Sequence, residues 1–131
     1  MGIKLPDNVV KLIQGKNFGH LATIMPDGSP QVTPVWVDYE NGFILVNTAE
    51  GRAKPRNVRR DKRVAISVAD QNNPYSMASI RGKVVEITNK GGDAHIDKLA
   101  KKYIGKDKYP WRKPEEKRLI LKIEPLHLAT Q

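Results

Sequence analysis

The sequence has no cysteine. That excludes disulfides and thiolate metal sites, and it is compatible with a reducing compartment. Its three histidines, His20, His95 and His127, lie far apart and lack the His/carboxylate spacing of a metal site. No run approaches the ~20 apolar residues of a membrane span, and "MGIKLPDN" lacks the apolar core of a signal peptide. No internal repeat, low-complexity tract, nucleophile motif or paired acid/base constellation appears. The expectation is a cytoplasmic protein without a metal centre.

Acids are outnumbered: 14 Asp and Glu face 23 Lys and Arg, for a formal charge of +9 and a pI of about 9.9. Such a balance favours anionic partners without choosing among nucleotides, phosphorylated cofactors, nucleic acid and lipid surfaces. The 131 residues are expected to form one domain, 1–131, able to bury roughly two-thirds of its unfolded surface.

The apolar pattern then places the elements. "LPDNVVKLIQG" predicts a short helix, with Asp7 as N-cap and Gly15 as stop. "FGHLATIM" predicts a strand, followed by an Asp27-Gly28 turn. "QVTPVWVDY" predicts one strand, buried on more than one side, and "ENG" (40–42) turns into a third strand, "FILVNT". After a basic stretch come strands over 63–70 and 76–88, the latter bent at Gly82. Ile96, Leu99, Tyr103 and Ile104 share one stripe of a helix over 91–105. A charged loop over 106–116 precedes a last strand over 117–125. Six strands and three helices fit a small closed antiparallel barrel, since closure removes exposed edges.

The basic stretch, "TAEGRAKPRNVRRDKRV" (48–64), holds seven Lys/Arg and only two acids, Glu50 and Asp61. A helix starting near Gly51–Arg52 tolerates Pro55 only in its first turn. Arg52 and Lys54 then fall at a helix N-terminus, where free N–H groups and the helix dipole favour an anion. A guanidinium fork and an ammonium complete a phosphate cradle. Two other readings stay open: a solvated helix face and a nucleic-acid contact. No RNP-type aromatic pair or other nucleic-acid motif supports the last.

"HLATIMPDGSPQVTPVWV" (20–37) followed by "NTAEGRAKPRNVRRDKRVAISV" (47–68) resembles the flavoproteins of the pyridoxamine 5'-phosphate oxidase-like superfamily. The resemblance is greatest to the branch that uses the deazaflavin coenzyme F-420, and "NPY" (73–75) and "YPWRKPEEKRLILKIEP" (109–125) fit that branch too. It implies a mainly β fold with short helices, a six-stranded antiparallel split β-barrel of the FMN-binding type, working as a homodimer with cofactors in grooves between subunits. It implies that Thr33, Pro34, Val35 and Trp36 line the ring system. Thr48, Arg52 and Lys54 match the phosphate-binding positions, with Arg56 and Asn57 in the same motif. Tyr75 and Met77 match positions near the reacting face, presented by the partner subunit. Tyr75 is also a candidate proton donor, and Trp111 a candidate lid. Residue by residue, other roles compete: Trp36 and Met77 as packing, Tyr75 as a loop anchor, and Asn57 as a tie between helix and barrel. Arg59, Arg60 and Arg63 are expected to face solvent or form salt bridges.

The implied activity is hydride transfer from reduced coenzyme F-420 to a small organic acceptor. Alternatives are an FMN-binding oxidoreductase of the same fold and a non-enzymatic cofactor-binding protein. A redox cofactor carries its own chemistry, which fits a sequence without a catalytic constellation. The stretch ending "EPLHLATQ" lacks the basic and aromatic substrate-binding segment of pyridoxamine phosphate oxidase itself, so vitamin B6 oxidation is not expected. No membrane or nucleic-acid partner is expected.

Overall fold

A computed structural model describes residues 2–130. The elements run α1 (Asp7–Gln14), β1 (Gly19–Ile24), β2 (Pro30–Val35), β3 (Val37–Glu40), β4 (Phe43–Ala49), α2 (Ala53–Arg60), β5 (Arg63–Asp70), β6 (Asn73–Thr88), α3 (Gly92–Ile104) and β7 (Arg118–Thr130). The strands form one antiparallel sheet in the order β2-β1-β5-β6-β7-β4-β3. It curls into a split barrel of seven strands rather than six.

The seventh strand arises at Trp36. The predicted strand over 31–39 breaks there into β2, which pairs with β1, and β3, which pairs with β4 at the opposite edge. Two strands separated only by Trp36 thus sit on the two edges of the sheet, and among the described residues no ladder joins them. Pro34 suits this position, because a residue without an N–H is tolerated on an edge strand.

Local chemistry sets the turns. Asp27 Oδ1 accepts hydrogen bonds from both the Ser29 N–H and hydroxyl. Asn41 and Gly42 both have positive φ, 52° and 86°, as a tight hairpin turn requires. α1 is capped by Pro6 rather than Asp7, which instead lies in the first turn, where a carboxylate favours the helix dipole.

The long strand bends at Gly82, as expected. A Cβ there would lie 2.3 Å from the Glu124 carbonyl oxygen. The ladder with β7 shifts register between Arg81 and Gly82 and between Val84 and Glu86, while β5 pairs on the other side. β7 runs to Thr130 instead of ending at Pro125, and its tail pairs with Ala78–Arg81.

The barrel interior is aliphatic: Leu21, Val37, Val46, Ile66, Val68, Ile80, Leu121 and Ile123 are buried with Val9 and Ile13 of α1. Each such side chain contributes roughly 1.5–3 kcal/mol on leaving water. A second cluster joins Ile96, Leu99 and Tyr103 of α3 to Trp36 and Tyr109. α3 therefore packs beside the break in the sheet. Lys102 Nζ fixes it there, donating to the carbonyls of Ile13 (2.8 Å) and Val37 (2.7 Å). Burial pushes its ammonium pKa down to about 8.

Candidate cofactor-binding site

A groove of about 240 Å³ opens at the break between β2 and β3. One wall is apolar: Phe18, Pro34, Val35, Trp36, Ile96, Tyr109 and Trp111. The other is polar and basic: Asn47, Thr48, Arg52, Lys54 and Arg118. Two other depressions are larger, about 490 Å³ beside α1 and about 390 Å³ on the outer sheet face. Neither combines convergent cations with an aromatic wall, so size is a poor guide here. The groove falls below the roughly 300–1,000 Å³ usual for a site that encloses a small ligand.

The basic wall is built where β4 ends. Gly51, with φ +90°, makes the turn that lets Arg52 cap α2 with extended backbone. No side chain caps that helix end, so its first N–H groups stay free for an anion. Pro55 falls in the first turn, where it costs no helical hydrogen bond. Lys54 is half-buried, and desolvation, followed by the Arg52 charge, lowers its pKa. An incoming anion would offset both by pairing with the ammonium. Thr48 is only 1 % exposed, and its Oγ1 has no hydrogen-bond partner. An orphaned buried hydroxyl costs roughly 1–3 kcal/mol, which a ligand oxygen would recover.

Aromatic stacking shapes the other wall. Trp36 lies parallel to Tyr103, with centroids 5.3 Å apart. Tyr109 meets Trp36 edge-on at 6.0 Å, and Trp111 tilts against it at 6.4 Å. The loop that carries Tyr109 and Trp111 is tied to α3 by Asp97, which accepts the Tyr109 N–H at 2.8 Å and pairs with Arg112.

Behind the basic wall runs a buried polar chain. Arg118 Nε donates to Asn47 Oδ1 at 2.8 Å. Asn47 Nδ2 donates to the Gly92 carbonyl (2.9 Å) and to His95 Nδ1 (3.1 Å). His95 Nδ1 is thereby the acceptor, and Nε2–H donates to Asp38 Oδ2 at 3.1 Å. Lys98 reaches the same oxygen at 3.0 Å. Burial opposes the Asp38 charge, but hydrogen bonds from His95, Lys98 and the Tyr39 N–H outweigh it and hold the carboxyl well below the usual range. Among the described residues no three metal-ligating side chains converge.

Of the sequence-nominated residues, Pro34, Val35, Trp36, Thr48, Arg52 and Lys54 converge on the groove, with Trp111 at its rim. Thr33 does not line it; it faces inward opposite Leu21, its buried Oγ1 unpartnered. Arg56 is exposed on α2, away from the groove. Asn57 is buried and ties α2 to β1, its Nδ2 donating to Thr23 Oγ1 (3.0 Å) and Met25 Sδ (3.3 Å). That leaves neither amide hydrogen for a ligand. Tyr75, 77 % exposed, and Met77 lie at the start of β6, outside the groove of their own chain. The other arginines are engaged at home: Arg59 with Glu50, Arg60 with the Ile24 carbonyl, Arg63 with Asp61.

Sequence reasoning missed Phe18, Asn47, Ile96, Tyr109 and Arg118. Arg118 carried no signal, because alternation in "KRLILKI" reads it as an outward strand residue.

The sequence pattern of pyridoxamine 5'-phosphate oxidase matches residues 5–131. The chain belongs to the pyridoxamine 5'-phosphate oxidase family. It is similar to a solved F-420 reductase at 31 % identity and a TM-score of 0.84, covering 97 % of this chain and 100 % of that one. It also shares the fold of Rv2991, a conserved hypothetical protein of Mycobacterium tuberculosis (22 % identity, TM-score 0.68, covering 97 % and 84 %). General Stress Protein 26 of Bacillus anthracis is folded alike (15 %, TM-score 0.65, 95 % and 97 %). The F-420-branch resemblance read from residues 20–37 and 47–68 therefore stands. Family membership makes the split barrel a flavin- or deazaflavin-type oxidoreductase scaffold, and among the described residues no helix is long and apolar enough to cross a membrane.

Proposed function

We propose that this protein is an oxidoreductase that binds coenzyme F-420 in the groove beside Trp36 and passes hydride from the reduced cofactor to a small organic acceptor. The observation that carries the reading is the orphaned Thr48 hydroxyl beside Arg52 and Lys54, at an uncapped helix start and opposite an aromatic wall. Thr48, Arg52 and Lys54 would hold the cofactor's phosphate. β2 is an edge strand, so the unpaired side of its Thr33–Val35 backbone is free for the polar rim of a ring. Trp36 and Pro34 would face the ring itself. When bound, the deazaflavin supplies hydride chemistry through a ring carbon; the chain contributes binding, orientation and water exclusion.

A further wall would come from a second copy. The outer face of β2-β1-β5-β6-β7 carries small residues at its centre, Ala22 beside Ala65 and Ser67 beside Ser79 and Ala129, with His20, Arg81 and His127 in the same rows. Val32 stands 62 % exposed at its edge. A homodimer across this face would bury it and bring Tyr75 and Met77 of the partner subunit toward the groove, with Tyr75 as candidate proton donor. Ala65→Arg should convert a dimer to monomers in sedimentation.

Titrating the purified apoprotein with coenzyme F-420 and with FMN tests the cofactor. Tighter F-420 binding, with hydride transfer to an added quinone or nitroaromatic acceptor, is expected. Tighter FMN binding overturns the cofactor, and bound F-420 that never exchanges hydride overturns the enzyme.

A further inference from the structure

The groove gathers three cations, Arg52, Lys54 and Arg118, and one carboxylate touches two of them. Glu116 Oε1 accepts from Arg118 Nη1 at 2.9 Å, while Oε2 accepts from Arg52 Nη2 at 3.3 Å. No carboxylate pairs with Lys54 among the described residues. The excess is two positive charges, left for an anionic ligand group.

We propose that Glu116 is a built-in stand-in for the ligand's phosphate, and that Arg118 is a phosphate-binding residue which Glu116 neutralises until the ligand arrives. This deepens the phosphate-site reading above and rests on it. Three observations carry it. Arg118 is fixed rather than mobile: its side chain is 4 % exposed, and its Nε is held by Asn47, which Gly92 and His95 hold in turn. Its Nη2 has no partner among the described residues and Arg118 lines the groove, so the fork keeps a donor for a ligand. The unpartnered Thr48 hydroxyl sits in the same wall, an acceptor's absence at the same place.

A buried guanidinium without a counter-ion is costly, so Glu116 makes the empty site tolerable. The same carboxylate repels an incoming phosphate and competes with it for Arg52. Arg52 is half-exposed and can turn from Glu116 to the ligand; Arg118 cannot turn. Glu116 therefore sets affinity: it weakens the hold on phosphate so that the ligand can leave.

The test compares FMN with riboflavin, which differ only by the phosphate, using quenching of flavin fluorescence. The ratio of the two dissociation constants reads the phosphate contact alone, and calorimetry with inorganic phosphate reads it without the ring. Glu116→Gln, the same size and uncharged, should raise the ratio roughly five- to twentyfold while lowering thermal stability. Glu115→Gln, the same charge change on an exposed neighbour, should leave it within about twofold. Arg118→Lys, which keeps the charge but loses the fork, should lower the ratio. An unchanged or smaller ratio in Glu116→Gln overturns the stand-in role and leaves the groove a phosphate site. A wild-type protein that binds both flavins equally and ignores inorganic phosphate overturns both readings.

Discussion

Trp36 and Tyr103 stack with ring centroids 5.3 Å apart and planes 6° from parallel, and the Tyr103 hydroxyl accepts the Val37 N–H at 3.0 Å while donating to the Asn17 carbonyl at 2.6 Å. One residue of α3 thus backs the groove wall and holds the chain where β3 begins. Tyr103→Phe keeps the stack but strands a buried N–H, and should cost about 1–3 kcal/mol in urea unfolding. Tyr103→Leu should also loosen Trp36 and weaken cofactor binding. Equal stability of wild type and Tyr103→Phe would show that the hydroxyl has no role.

At the basic wall, Arg52→Ala and Lys54→Ala should each weaken cofactor binding by roughly 1–3 kcal/mol, the range for a lost charge-assisted contact. Arg59→Ala removes the same charge from a residue paired with Glu50, and should change affinity little. If all three behave alike in a titration at moderate salt, only diffuse charge attracts the ligand.

Stability in acid should depend on Asp38. Its folded pKa lies below the ordinary 3.8, so as pH falls the unfolded chain takes up the proton first. The stabilisation is complete above about pH 4 and is lost progressively below it, as pH falls toward the folded value. Asp38→Asn should flatten this acid limb and cost about 1–3 kcal/mol at pH 7, through loss of the charge-assisted bonds from His95 and Lys98. Parallel acid limbs in denaturation series at pH 2–5 would assign the effect to other carboxylates.

Gly82→Ala should be among the most damaging single changes. Its Cβ would meet the backbone oxygen of Glu124 at 2.3 Å, and a backbone atom cannot step aside as a side chain can. A loss of ~3 kcal/mol or more is expected by thermal or urea unfolding. Gly28→Ala makes the contrast: nothing lies near its Cβ, but φ is +88°, so only backbone strain of about 1 kcal/mol is expected.

Much of this fold is local, and so was readable. Alternation marked the strands, Asp27-Gly28 and Asn41-Gly42 marked the hairpins, and Gly82 marked the bend, because turn and pleat chemistry act over a few residues. The break at Trp36 was hidden, since nothing in "QVTPVWVDY" distinguishes one strand from two whose partners are β1 and β4. The extension of β7 to Thr130 was hidden too, because its pairing partner is the start of β6.

The sequence by itself determined the antiparallel barrel scaffold, the family, and a basic helix start after β4, each carried by neighbouring residues or contiguous motifs. Only the tertiary structure decided which charges matter. It turned Arg60 onto the Ile24 carbonyl, 36 positions away, and spent Asn57 on Thr23, 34 positions away. It set Arg118 against Asn47 across a separation of 71 residues. A charge's role depends on the few ångströms around it, and those neighbours come from distant parts of the chain that only folding brings together.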